Sequence, residues 1–226
     1  MNLFGVLSEV YPTLLTGLTM TVKITILSLI IALVIGIFVC LMNISSNIVL
    51  RGIAKFYIWL IRGTPMLVQA FYFYFALPQL IQAVTGSQFR ITVFTASLVT
   101  LALNAGAYIS EIFRGSIESV NKGQMEAGRS LGLNKFQTMR YIIIPQAFKS
   151  ILPPLGNEFI VLIKETSIVG YVGMSDLTRV ANQMTSKLFD VFTPLLGIAF
   201  IYFVLTKVLS ILLAKLERRL RKSDNR

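Results

Sequence analysis

The stretch that decides the fold is Ile24-Thr-Ile-Leu-Ser-Leu-Ile-Ile-Ala-Leu-Val-Ile-Gly-Ile-Phe-Val-Cys-Leu-Met42, which carries no charge. A hydrocarbon core of about 30 Å is crossed by a helix of about 20 mostly apolar residues, so this segment reads as a membrane span. Working outward, residues 63–89 and 91–110 are also free of Asp, Glu, Lys and Arg. Over the whole chain of 226 residues, 14% are charged and the mean hydropathy is +0.74. An ordinary soluble domain carries about 25% charged residues. The composition therefore implies an all-α integral membrane protein.

The net charge of +11 raises the possibility of nucleic-acid binding, but the cations sit beside the apolar spans. There they act as a topology signal and attract anionic lipid, so a bilayer is expected as partner and nucleic acid is not. The sequence has no histidine and one cysteine, Cys40. That excludes an intrachain disulfide, the usual zinc sites, and Ser-His-Asp or Cys-His catalysis. The N-terminal segment lacks a basic n-region and its apolar run is long enough to span, so it reads as a retained helix.

Five spans are expected, at about 13–42, 54–79, 91–112, 151–173 and 191–215, in a single transmembrane domain covering 1–226. Trp59 and Tyr57 near one end of the second fit an interfacial aromatic belt. The fourth has the weakest hydropathy. It opens with Pro153-Pro154, holds Glu158, Lys164 and Glu165, and ends among Gly170 and Gly173, the pattern of a broken, cavity-lining or re-entrant helix. Alternate connecting segments collect fifteen Lys and Arg on one side and three on the other. The positive-inside rule then places the N-terminus outside and the C-terminus in the cytoplasm. The tail from Lys215 to Lys222 reads as a lipid-contacting stop-transfer end.

The longest cytoplasmic segment, 113–149, has an organisation of its own. Met125 to Leu131 reads as a short helix ended by Gly132, and Asn134 is placed to cap a second. Phe136, Met139 and Ile143 fall at i, i+3 and i+7 and give that second helix one apolar face. Such a knob needs a partner or a membrane surface to cover it.

The spacing Glu126-Ala127-Gly128, three residues, Gly132, nine residues, Ile142-x-Ile144-Pro145 resembles the EAA loop of ABC importer permeases. That family's pattern has Ala at 128 and Leu at 144. Arg62-Gly-Thr-Pro65 with Leu67-Val-Gln69, then Ala107-Tyr-Ile-Ser-Glu-Ile-Phe-Arg-Gly115, then Lys164-Glu-Thr-Ser167 resemble motifs of the polar amino-acid (histidine/glutamine/arginine) permease group. The resemblance covers about residues 13 to 215. It implies that Glu126, Ala127, Gly128, Gly132, Leu133 and Phe136 belong to coupling helices seated in a groove of an ATPase subunit. It also implies a second permease copy or a related permease, and an extracytoplasmic binding protein that delivers the amino acid. The setting would be the bacterial inner membrane. No Gly-x-x-x-x-Gly-Lys-(Ser or Thr) phosphate loop occurs in the chain. No cofactor is expected on it, and ATP and magnesium belong to the partner ATPase.

Charges inside a span are costly unless paired or wet, which makes them candidates for function. Glu158 and Glu165 are seven residues apart and share a helix face, while Asn157 and Lys164 share a second. With Ser167, and with Arg62 able to neutralise a carboxylate, they form the expected substrate cavity, whose two charge signs suit a zwitterionic amino acid. The same charges could instead serve only to pair helices. A channel or secondary transporter without an ATPase is the alternative class, and would leave the cytoplasmic knob unexplained.

Overall fold

In a bilayer no water is available to satisfy backbone N–H and C=O groups, so spanning segments must be helices or closed barrels. The computed structural model describes residues 3–224, with side chains from 12 to 218, and is helical throughout. Helix α1 is Leu3–Asn43, α2 Ile48–Gly63, α3 Met66–Phe71, α4 Leu77–Thr85 and α5 Val93–Glu118. They are followed by α6 Lys122–Ser130, α7 Lys135–Thr138, α8 Ile144–Val169, α9 Leu177–Leu188 and α10 Phe192–Asp224. π-helical turns join α3 to α4 (Tyr72–Ala76) and α7 to α8 (Met139–Ile143). The first two residues, and the basic tail's side chains beyond Arg218, lie outside the described residues.

Among the described residues, four segments are long and apolar enough to cross a membrane: Pro12–Asn43, Met66–Thr85, Val93–Glu118 and Phe192–Arg218. α8 has the length for a fifth but is too polar to meet the same standard. The structure differs from the sequence reading in two of the spans. The segment expected as one helix over 54–79 is broken at Thr64-Pro65, and the apolar span is Met66–Thr85. Proline has no N–H and disfavours helix in the residue before it, so α2 ends there as a separate amphipathic helix with Ala54, Ile58 and Ile61 inward. The fourth segment is neither broken nor re-entrant, because α8 runs unbroken through Pro153 and Pro154 to Val169. Gly173, with φ +102°, then stops the short 3-10 turn after it.

α1 and α5 form the centre and run in the same direction. Lys23 lies over the Phe94 ring, Gly36 faces Ile109, and Asn43 bonds Glu111. Two isoleucines seat in glycine notches across this contact. A Cβ on Gly36 would stand 2.6 Å from Ile109 Cγ2, and one on Gly106 would stand 2.7 Å from Ile35 Cγ2. Small residues allow the close helix approach that packing in lipid relies on. Ile24, Ala32, Leu101, Ala105, Ile109 and Leu162 make the core of the interface, with α8 packed on its flank. α10 runs antiparallel to α8, Leu213 facing Gly156 and Tyr202 facing Thr166. α9 lies along the first half of α1, where the Leu177 N–H donates to Thr21 Oγ1 at 3.2 Å.

The break between α2 and α3 frees backbone carbonyls, and one side chain takes up two of them. Gln69 Nε2 donates to Ile61 O at 2.8 Å and to Thr64 O at 3.0 Å, while its Oε1 accepts from Asn104 Nδ2 at 3.1 Å. Gln69 thus closes the break and ties it to α5. Gln69→Leu should lower stability by about 1–3 kcal/mol by leaving buried polar groups unsatisfied. Asn104→Ala, which leaves the carbonyl bonds intact, should cost about 1 kcal/mol. The midpoint of unfolding in mixed dodecyl sulfate micelles measures both.

Candidate functional site

The first site is the knob between α5 and α8. Asn121 caps α6 through the Gly123 N–H. At the other end the Gly132 N–H donates to Arg129 O and the Leu133 N–H to Gly128 O, both at 3.1 Å. That pair of bonds is a Schellman cap, which needs a left-handed residue after the helix. Gly132 supplies it at φ +86°. Asn134 then opens α7 with a capping box, its Oδ1 accepting from Gln137 N while Gln137 Oε1 accepts from Asn134 N.

Within the knob Gly128 is buried, and a Cβ there would meet Thr138 Cγ2 at 2.5 Å and Ile142 Cδ1 at 3.1 Å. The glycine therefore serves packing between α6 and the following helix. Glu126 and Ala127 point to solvent, Leu133 is half-buried, and Leu131 and Phe136 are 80% and 70% exposed. The apolar face expected from Phe136, Met139 and Ile143 is not one face. Phe136 points out, Met139 is half-buried and Ile143 is buried. The π-helical turn Met139–Ile143 adds a residue to the turn and rotates Ile143 and the start of α8 relative to Phe136.

The second site is a ladder of charges where three helices end beside the knob. Glu111 Oε1 accepts from Arg114 Nε at 2.9 Å and from Asn43 Nδ2 at 3.3 Å, and Glu111 Oε2 accepts from Arg114 Nη2 at 2.8 Å. Arg114 reaches on to Glu118. Arg62 approaches Glu111 Oε2 at 3.9 Å with its guanidinium 5.0 Å above the Tyr108 ring. The ladder ties α1 through Asn43, α2 through Arg62, one residue from its end, and the last turns of α5 that lead into α6. Arg62 thus makes its ion pair with Glu111, and not with Glu158 or Glu165, as the sequence reading allowed.

The third site is the charged face of α8. Glu158 is buried at 8% exposure and Glu165 is half-buried, with its Oε2 lacking a partner among the described residues. Among those residues neither carboxylate is in an ion pair. Asn157 and Lys164, about 100° round the helix from them, are exposed. Lys164 and the half-buried Ser167 line a cavity of about 370 Å³ with Thr178, Ile198 and Tyr202. The six residues expected to share one cavity are therefore divided between an inward face, an outward face and the Glu111 ladder. Sequence reasoning missed Asn104 and the fully buried Asp176, whose carboxylate accepts from Thr178 N and Arg179 N to cap α9. The Thr-Pro break followed four residues later by glutamine was the available signal for the Gln69–Asn104 pair.

A bundle of membrane-length apolar helices carrying a solvent-facing two-helix knob is the arrangement of a membrane transport component. The chain belongs to the family described as binding-protein-dependent transport system inner membrane component, which matches residues 32–222. It is the multi-pass inner-membrane component of a transport system and is not catalytic. It is 40% identical over 210 residues to the glutamine transport system permease protein GlnP of Escherichia coli, covering 93% of this chain and 94% of that one. The arginine transport system permease protein ArtQ of Bacillus subtilis is 40% identical over 213 residues, with 94% of each chain covered. A chain from the crystal structure of an amino acid ABC transporter with histidines superposes with TM-score 0.89 at 44% identity, covering 97% of this chain and 99% of that one. A chain of the inward-facing MetNI methionine ABC transporter shares the fold at 19% identity, TM-score 0.75, over 92% of this chain and 96% of that one. The all-helical fold is that of ABC importer permeases, and the family implies a complex with an ATPase subunit and a binding protein.

Gly132→Ala should strain the left-handed cap by about 1–2 kcal/mol and speed amide exchange across α6. Gly128→Ala should also loosen the knob despite its better helix propensity. Adding Thr138→Ala should restore protection in that variant by removing the methyl that the new Cβ meets. Hydrogen exchange read by mass spectrometry checks all three.

Proposed function

We propose that this chain is the permease of an ATP-driven importer that carries a polar amino acid inward. A single observation carries the reading: a capped knob that exposes Leu131 and Phe136, with nothing among the described residues to cover them. An apolar face of that kind marks an interaction site, and a groove of the ATPase subunit is its partner. Glu126, Ala127, Gly128, Gly132, Leu133 and Phe136 are the coupling residues. The N-terminus lies outside, and the C-terminus and knob lie in the cytoplasm, in line with the fifteen cations on that side. A second copy or a related permease completes the pathway, and an extracytoplasmic binding protein supplies the substrate.

The names of the similar proteins, which specify glutamine and arginine transport and an amino acid transporter with histidines, support a polar amino acid as cargo. Glu158 and Glu165 offer carboxylates inside the bundle, and Lys164, Asn157 and Ser167 offer a cation and polar groups on the side left for the second permease. Arg62, itself part of the ladder, stands just before the break at Thr64-Pro65. Ligand or nucleotide moves the equilibrium only through a differential affinity for the inward- and outward-facing states.

Two outcomes are expected. Tagged chain extracted gently from its native membrane should carry an ATPase subunit, and Glu126→Lys, which reverses charge on the docking helix, should lose it. A monodisperse chain that carries no ATPase in either form would favour a self-sufficient transporter. In the assembled complex, Glu111→Gln weakens the ladder between the loop and the break. Transport per ATP hydrolysed should fall about fivefold or more, the scale of a typical coupling free energy, while the complex stays intact by size-exclusion chromatography.

A further inference from the structure

A cavity of about 480 Å³ opens between α2 and the last turns of α5, lined by Asn43, Arg51, Lys55, Trp59, Glu111 and Arg114 among others. Its charges are unevenly satisfied. Both carboxylates at its wall, Glu111 and Glu118, are held by Arg114. Arg51 and Lys55 are one helical turn apart on the same face of α2, where like charges repel. Arg51 donates Nε and Nη2 to the Ser45 carbonyl at 3.0 and 2.6 Å, which fixes its direction without neutralising it. Among the described residues neither cation is in an ion pair. Both cations are therefore available to an anion.

The surroundings define what kind of anion. α2 is amphipathic, and Ile48, Val49, Ile53, Phe56 and Trp59 are exposed along it. The Phe56 and Trp59 rings stand 6.2 Å apart. An exposed aromatic beside a basic pocket at a bundle end is the setting of a lipid headgroup, since tryptophan favours the headgroup level and basic pockets between membrane helices bind anionic headgroups. We propose that this cavity is a binding site for an anionic phospholipid, with the phosphate held by Arg51 and Lys55 and the acyl chains lying along Phe56 and Trp59. The site shares its wall with the Glu111 ladder, so an occupied headgroup would brace α2 against α5. The proposal does not depend on the transported substrate or on the ATPase.

Trp59 is the only tryptophan of the chain, so intrinsic tryptophan fluorescence reports this one position at the cavity's edge. The full-length chain is reconstituted in phosphatidylcholine vesicles into which phosphatidylglycerol or phosphatidylcholine with brominated acyl chains is titrated. Brominated phosphatidylglycerol should quench Trp59 with an apparent affinity on the order of tenfold higher than brominated phosphatidylcholine. The preference should fall to near parity in Arg51→Gln/Lys55→Gln, a pair of exposed or half-exposed residues whose replacement leaves the helix core intact. It should survive millimolar inorganic phosphate. Equal quenching by the two lipids in the original chain, or a preference that persists in the double variant, overturns the proposal. Loss of the preference to inorganic phosphate alone would show a free-anion site and overturn the lipid assignment.

Discussion

The interior of this bundle has no solvent to finish a hydrogen bond, and each interruption of its helices is built around that constraint. At Thr64-Pro65 the freed carbonyls are met by Gln69, which is itself held by Asn104. At the start of α9 the buried Asp176 takes the first amides, and Thr21 takes one more from across the interface. Backbone polarity left bare in hydrocarbon costs several kcal/mol per group, so these side chains decide where the chain can turn. The tight α1–α5 contact, with isoleucines set into glycine notches, can then form between helices whose ends are already fixed.

A second consequence concerns charge. Glu111 gathers donors from the ends of α1 and α5 and approaches the end of α2. It stands on the helix that continues into the knob, and its neighbour Arg62 stands just before the broken helix. A partly exposed ladder of this kind adds little to stability, and its value lies in registering three helix ends against one another. α6 follows directly on α5, and Glu111 links α5 to the segment that precedes the break. The two carboxylates of α8, by contrast, lie inward with no ion pair among the described residues.

Much of the architecture was legible in the sequence. Charge-free runs gave the helical membrane class, and Gly132 with Asn134 gave the turn and cap of the knob, because those residues act through local backbone geometry. Family membership followed from motif spacing. The features that stayed hidden depend on registration between helices. The break at Thr64-Pro65 was written out in Arg-Gly-Thr-Pro, but hydropathy smooths across it, and α2 merged with the true span. The two prolines of α8 suggested interruption, yet packing on α5 and α10 holds the helix through them. Phe136 and Ile143 parted company because a π-helical turn breaks the 3.6-residue period that a regular helix would keep. Arg62 had more than one acceptor in reach along the linear chain, and only the fold put it beside Glu111.

On the proposed coupling through the knob, this chain moves nothing by itself and is driven by a nucleotide-hydrolysing partner. The most direct measurement places the purified complex in sealed vesicles with the binding protein and labelled polar amino acid outside. ATP and magnesium are trapped within, in contact with the ATPase face. Accumulation well above the external concentration is expected with ATP inside, and none when ADP replaces it or when the ATPase subunit is omitted. Uptake that proceeds equally with ADP, or into vesicles holding this chain alone, would contradict coupling through the knob.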